Sequence, residues 1–99
     1  SIQIFYNRLS ELQTKRNTEN ADRAGRITGA APMSASENYE YGVLNAANEH
    51  MQALRRRERE IVANESASPA SKRRDIDALD LEITTIARET LMRLKTEAK

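Results

Sequence analysis

A chain of 99 residues holds one small domain with a modest core. Its 16 basic and 15 acidic side chains leave a formal charge of +1, which excludes a whole-molecule field attracting nucleic acid or an anionic membrane. The lack of cysteine excludes disulfides, thiolate chemistry and sulfur-ligated zinc, and no apolar run nears the ~18 residues of a membrane span.

The first predicted element runs from residue 1 to 22. Ile2, Phe5, Leu9 and Leu12 recur at helical spacing and make a short amphipathic face. Gln13 to Asn20 is polar on every side, so the second half of this helix lacks an evident core face. Glu19 with Arg23 and Asp22 with Arg26 stand in the favourable i,i+4 order, each pair contributing about 0.2–0.5 kcal/mol. Residues 23–35 read as a linker, because Gly25, Gly29 and Pro32 punctuate a run of small residues that cannot sustain a long helix.

A long helix is expected over 36–65. Ser34 and Glu37 have capping-box spacing, and Leu44, Ala47, Met51, Leu54 and Ile61 fall along one face. A second long helix is expected over 68–98, with Ser68 as cap, Pro69 in the first turn, and a stripe of Ile76, Leu79, Ile83, Ile86, Thr90, Leu94 and Ala98. The connection between them is so short that the two must be antiparallel neighbours. Folding at Ser68–Pro69 sets Leu54 against Leu79, Met51 against Ile83, Ala47 against Ile86 and Leu44 against Thr90. The class is therefore all-α: a long antiparallel hairpin plus an N-terminal helix, forming a three-helix bundle or a subunit-exchanged oligomer.

Such a hairpin leaves a second apolar flank with Val43, Leu81, Leu91 and Met92. The Ile2 to Leu12 face, another copy of the chain, or a protein partner must cover it. The candidate partner-binding residues are Ile2, Phe5, Leu9 and Leu12, joined by Tyr39 and Tyr41, whose rings combine apolar area with a hydroxyl. Packing of the two tyrosines against the first helix is the competing reading.

The corner RRREREIVANESASPASKRRDID concentrates charge. In the hairpin register Arg55, Arg56, Arg57 and Arg59 lie opposite Asp75, Asp77, Asp80 and Glu82, while Arg56 with Glu60 and Arg73 with Asp77 add neutralisation within each helix. Between Arg55 and Arg74 seven basic residues outnumber three acidic ones, a local excess of +4. Lys72, Arg73 and Arg74 also sit at the positive end of their helix dipole, an unfavourable position unless an anion or a carboxylate such as Glu65 is near. An ion-paired, solvated corner is the first reading. The alternative is a helical nucleic-acid-associated protein using Arg55, Arg56, Arg57, Arg59, Lys72, Arg73 and Arg74 for phosphate contacts, with little sequence preference.

No catalytic constellation stands out. His50 is the sole histidine and has no second ligand at metal spacing, and the serines lack a paired histidine and acid. Asp77 and Asp80 lie among arginines, a setting for ion pairs and not for acid–base catalysis. Asn64-Glu65-Ser66 matches the glycosylation pattern without a secretory leader beside it. The expectation is a non-enzyme with no cofactor and no metal, in an intracellular or virion setting.

The run MQALRRREREIVANESASPASKRRDIDALDLEITTIARE, residues 51–89, carries arginine-rich Leu-x-Arg spacing, a Ser-Pro elbow, a Lys-Arg pair and an Ile-Asp-x-Leu start to the return helix. In these features it resembles helical-hairpin segments of the internal virion (DNA-ejection) and tape-measure proteins of large tailed phages. The resemblance covers about two-fifths of the chain. It implies a virion structural component that works by oligomeric packing, with no catalytic residues to carry over.

Overall fold

The computed structural model describes residues 1–98, and all of its regular structure is helical. Helix α1 spans Ile2–Arg23, α2 spans Ala35–Ala63 and α3 spans Pro69–Glu97. Each boundary has a local cause. Ser1 caps α1 by accepting from the Ile4 amide at 3.4 Å. At the other end the chain closes in a Schellman motif: the Arg26 amide donates to the Ala21 carbonyl at 2.9 Å and the Gly25 amide to Asp22 at 3.0 Å. That closure needs Gly25 at φ +78°, a conformation open to glycine and costly for residues with a Cβ.

The capping box forms in full. The Glu37 amide donates to Ser34 Oγ and the Ser34 amide to Glu37 Oε1, both at 3.0 Å, so α2 begins at Ala35, one residue before the expected Ser36. It stops at Ala63 rather than 65, because Asn64 leaves helical geometry and its Oδ1 accepts from the Ser66 amide at 3.0 Å in an Asx turn. Asn64 thus has a structural task at the elbow. Ser68 then caps α3 through the Ser71 amide at 3.1 Å, with Pro69 in the first turn.

The hairpin register is the one the apolar stripes require. The elbow holds Lys72 against Val62, further back Arg55 meets Asp80, and at the open end Tyr39 meets Glu97; steps back along α2 match steps forward along α3. Leu44, Met51 and Ile83 are fully buried on this seam, with Ala47, Leu54, Ile86 and Leu94 packed at its margins. One seam position differs from expectation. Ala87 rather than Thr90 is buried, and the Thr90 hydroxyl donates back to the Ile86 carbonyl at 2.7 Å.

Helix α1 packs in cis. Phe5, Leu9 and Leu12 join the Leu44, Met51, Ile83 and Ala87 core, closed at one end by Met33 from the linker. Three of the residues expected to bind a partner, Phe5, Leu9 and Leu12, are therefore interior, and Ile2 packs half-buried beside them. The reason is thermodynamic: each such side chain gains about 1.5–3 kcal/mol on leaving water, and the linker lets α1 reach the hairpin of its own chain. Leu91 and Val43 remain half-buried, and Leu81 and Met92 stay on the surface, 66% and 61% exposed.

Candidate interaction surfaces

The seam between α1 and α2 is polar as well as apolar. Arg8 donates from Nε and Nη2 to the two carboxylate oxygens of Glu40 at 2.6 and 2.7 Å, a bidentate pair that raises the guanidinium pKa. About two turns further along α1, Lys15 donates to Glu37, and Arg16 lies 5.1 Å from the Tyr41 ring centroid while donating to Asn38 Oδ1 at 2.5 Å. Glu19 ends the series by accepting from the Met33 amide at 2.9 Å. Lys15, helped by the Ser34 amide, brings the Glu37 carboxyl down to about 2. Gln13 to Asn20 is therefore not without a facing element: its side chains form a polar ladder along the start of α2. The clue lies in the sequence as Arg8, Leu12, Lys15 and Glu19 at helical spacing, opposite Glu37, Glu40 and Tyr41.

Tyr41 belongs to this ladder, its hydroxyl donating to Gln13 Oε1 at 3.2 Å beneath Arg16. It packs half-buried against the first helix of its own domain. Tyr39 differs. It is 52% exposed, and its hydroxyl donates to Glu97 at 2.6 Å and accepts from Arg93 at 3.2 Å. The tyrosine first and Arg93 second hold the Glu97 carboxyl below its ordinary range.

Tyr39 stands between two depressions on the hairpin. One of about 330 Å³ lies against Leu91, Leu94 and Ala98. The other, a groove of about 620 Å³, is lined from α2 by Val43, Ala46, Ala47 and His50 and from α3 by Ile86, Thr90 and Arg93. No residue of α1 lines either one. His50 is thus a groove wall, and no metal-holding group of three or more His, Cys, Asp or Glu side chains occurs among the described residues.

At the hairpin tip the charges pair less completely than the register suggests. Of the four expected cross-helix arginines only Arg55 bridges, to Asp80 at 3.2 Å, and it also holds Glu58 at 2.9 Å. Arg57 pairs with Glu60 in its own helix at 3.1 Å, in place of the expected Arg56, and Arg74 with its neighbour Asp75 at 3.5 Å. Lys72 Nζ reaches across to the Val62 carbonyl at 2.9 Å, setting a cation at the negative end of α2. Among the described residues Arg56, Arg59 and Arg73 have no carboxylate within ion-pair distance. The reason is angular: successive helical positions point about 100° apart, so Arg56, Arg57 and Arg59 fan around α2 and cannot all face α3.

Glu58 is the buried acid that the apolar stripe did not mark. It stands one heptad beyond Met51, itself a heptad beyond Leu44, on the core side of α2. Asp80 beside it, then burial, push its carboxyl pKa up, while Arg55 works in the opposite direction. The core seam becomes ionic at this position.

Comparison with known proteins adds no relative: no family model, curated protein or solved structure matches this chain. None of the described helices is long and apolar enough to cross a membrane.

Proposed function

We propose that this protein is a non-enzymatic assembly module, packing against copies of itself through the side of the α2–α3 hairpin that α1 leaves open. The observation that carries the reading is the groove at Tyr39, Val43, Ala46, His50 and Ile86, which draws every lining residue from the two long helices and is roofed by neither α1 nor the linker. Leu81 and Met92 are also exposed on α3, on a face turned away from the groove. A helical surface of this kind gains stability by taking another helix into the groove. The resemblance of residues 51–89 to phage internal virion segments fits a repeating component of a particle.

Light scattering coupled to size exclusion tests the reading. The expected result is a defined multimer whose mass holds from low to molar salt, because apolar packing is little screened. Ala46→Glu, at an exposed groove position, is expected to reduce it to monomer with helicity unchanged. A wild-type chain that is folded and strictly monomeric refutes the proposal. Charged substitutions at Phe5 or Leu9 do not test it, since they enter the core and unfold the domain.

A further inference from the structure

We infer that the hairpin tip binds the phosphate backbone of duplex nucleic acid, without reading its sequence. This surface is separate from the assembly groove, and the inference does not depend on the oligomeric state.

Three observations carry it. First, cations cluster at the elbow: residues 55–74 hold seven basic side chains against three acidic ones, and of the carboxylates α3 adds at the same height, Asp75 and Asp80 are already paired with Arg74 and Arg55. Over residues 55–80 the seven basic groups face six acidic ones, so the site is a local cluster of unpaired arginines and not a long-range field. Second, the elbow end projects. The hydrogen bonds from α1 to α2 stop at Gln52, which donates to the Tyr6 hydroxyl at 3.4 Å. Past Arg55, which lies near Tyr6 of α1, α2 continues through Ala63, roughly 12 Å at 1.5 Å per residue. Third, the cations are accessible. Arg56, Arg59 and Arg73 are exposed and have no carboxylate partner among the described residues, while Arg57 and Glu60 are both well exposed at 63% and 66%, a pair a phosphate can displace at small cost.

The geometry also selects the mode of binding. Two side-by-side helices are about 20 Å across and too broad for a major groove about 12 Å wide, so the tip rests on the backbone instead of entering to read base edges. The tip has no aromatic residue, and bases of a single strand find no stacking platform there. Arg56 and Arg59 on α2 with Arg73 on α3 supply three point contacts spread over two helices.

Fluorescence anisotropy of the 99-residue chain with a labelled mixed-sequence DNA duplex is the test, run from low to physiological salt. Binding is expected at low salt, with log K falling against log[salt] at a slope of about −3, near −0.9 for each of three phosphate contacts. The triple variant R56E/R59E/R73E is expected to lose tenfold or more in affinity and to flatten that slope. A charge-matched variant, R26E/R88E/K95E, places the same change on exposed residues away from the tip and is expected to keep the slope. Circular dichroism confirms that both remain helical. The inference is overturned if the wild-type chain does not bind at low salt, or if the two triple variants behave alike. Stronger binding to phosphatidylserine vesicles than to the duplex overturns it too, by assigning the patch to a membrane surface.

Discussion

The two ends of the hairpin share one backbone geometry and one apolar period, yet they are held together by different forces. At the open end, α1 lays Phe5, Leu9 and Leu12 onto Leu44, Met51, Ile83 and Ala87, and the Arg8–Glu40 and Lys15–Glu37 pairs bind its flank. At the elbow end only two helices meet, with Leu54, Ile61, Ile76 and Leu79 half-buried and charged side chains around them. The frontier is Glu58, where the heptad position that is Leu44 and Met51 nearer the open end becomes a carboxylate. Two helices enclose less of a side chain than three do, so the same periodicity yields a dry core at one end and, Glu58 apart, half-buried positions at the other.

The sharpest test of that contrast compares truncations at the two ends. Phe5→Ala, at a fully buried position, is expected to cost about 3–5 kcal/mol in urea unfolding. Ile76→Ala at the elbow end is expected to cost about 1–2 kcal/mol, since its side chain is only partly removed from water. Equal costs would mean that α1 adds no more burial at its end than the two-helix seam finds alone.

A smaller effect is expected where α1 closes. Gly25→Ala places a Cβ at φ +78° and should cost about 1–2 kcal/mol, although no neighbour lies within 4 Å of that Cβ. The loss would come from backbone conformation alone. Gly42→Ala, at a helical position with equally open space, should instead stabilise α2 by about 1 kcal/mol, provided the groove is empty in the measurement. A matching loss at both glycines would break the distinction.

The smallest effect is in pH dependence, and it has opposite signs at the two ends. Glu37 has a folded pKa of about 2, below its ordinary 4.5. Its contribution to stability is present above pH 4.5 and is lost as the pH falls toward 2. Glu97 acts in the same direction. Glu58 is raised, so its contribution is present below pH 4.5 and is lost as the pH rises through its folded value. Urea midpoints measured from pH 2 to 7 should therefore rise across the acid range and then gain less, or turn down, above pH 4.5. Glu58→Gln should remove the upper component and leave the acid limb unchanged, whereas Glu37→Gln should flatten the acid limb.

Much of the architecture is readable residue by residue. Ser34 with Glu37 and Ser68 with Pro69 start two helices within a residue of where they occur, because caps and proline act through bonds a few positions away. The register follows from the apolar stripes, since a short elbow leaves one way to face them. The interaction surfaces were less legible. Tyr39 and Tyr41, two residues apart, looked equivalent, but about 200° of helical turn sends Tyr41 under Arg16 and Tyr39 to the groove. The arginines of the tip looked cross-paired, yet carboxylates at matching register do not compel side chains that fan around a helix to meet them.

The amino-acid sequence alone determined the three helices, their caps, the elbow and the pairing of α2 with α3, because those depend on contacts between near neighbours or on a periodicity that has one solution. Only the tertiary structure decided that α1 folds back onto its own hairpin, which polar residues of α1 and α2 form a ladder, and which arginines remain unpaired. Those outcomes depend on the relative rotation of whole helices, a property that no spacing along one helix contains.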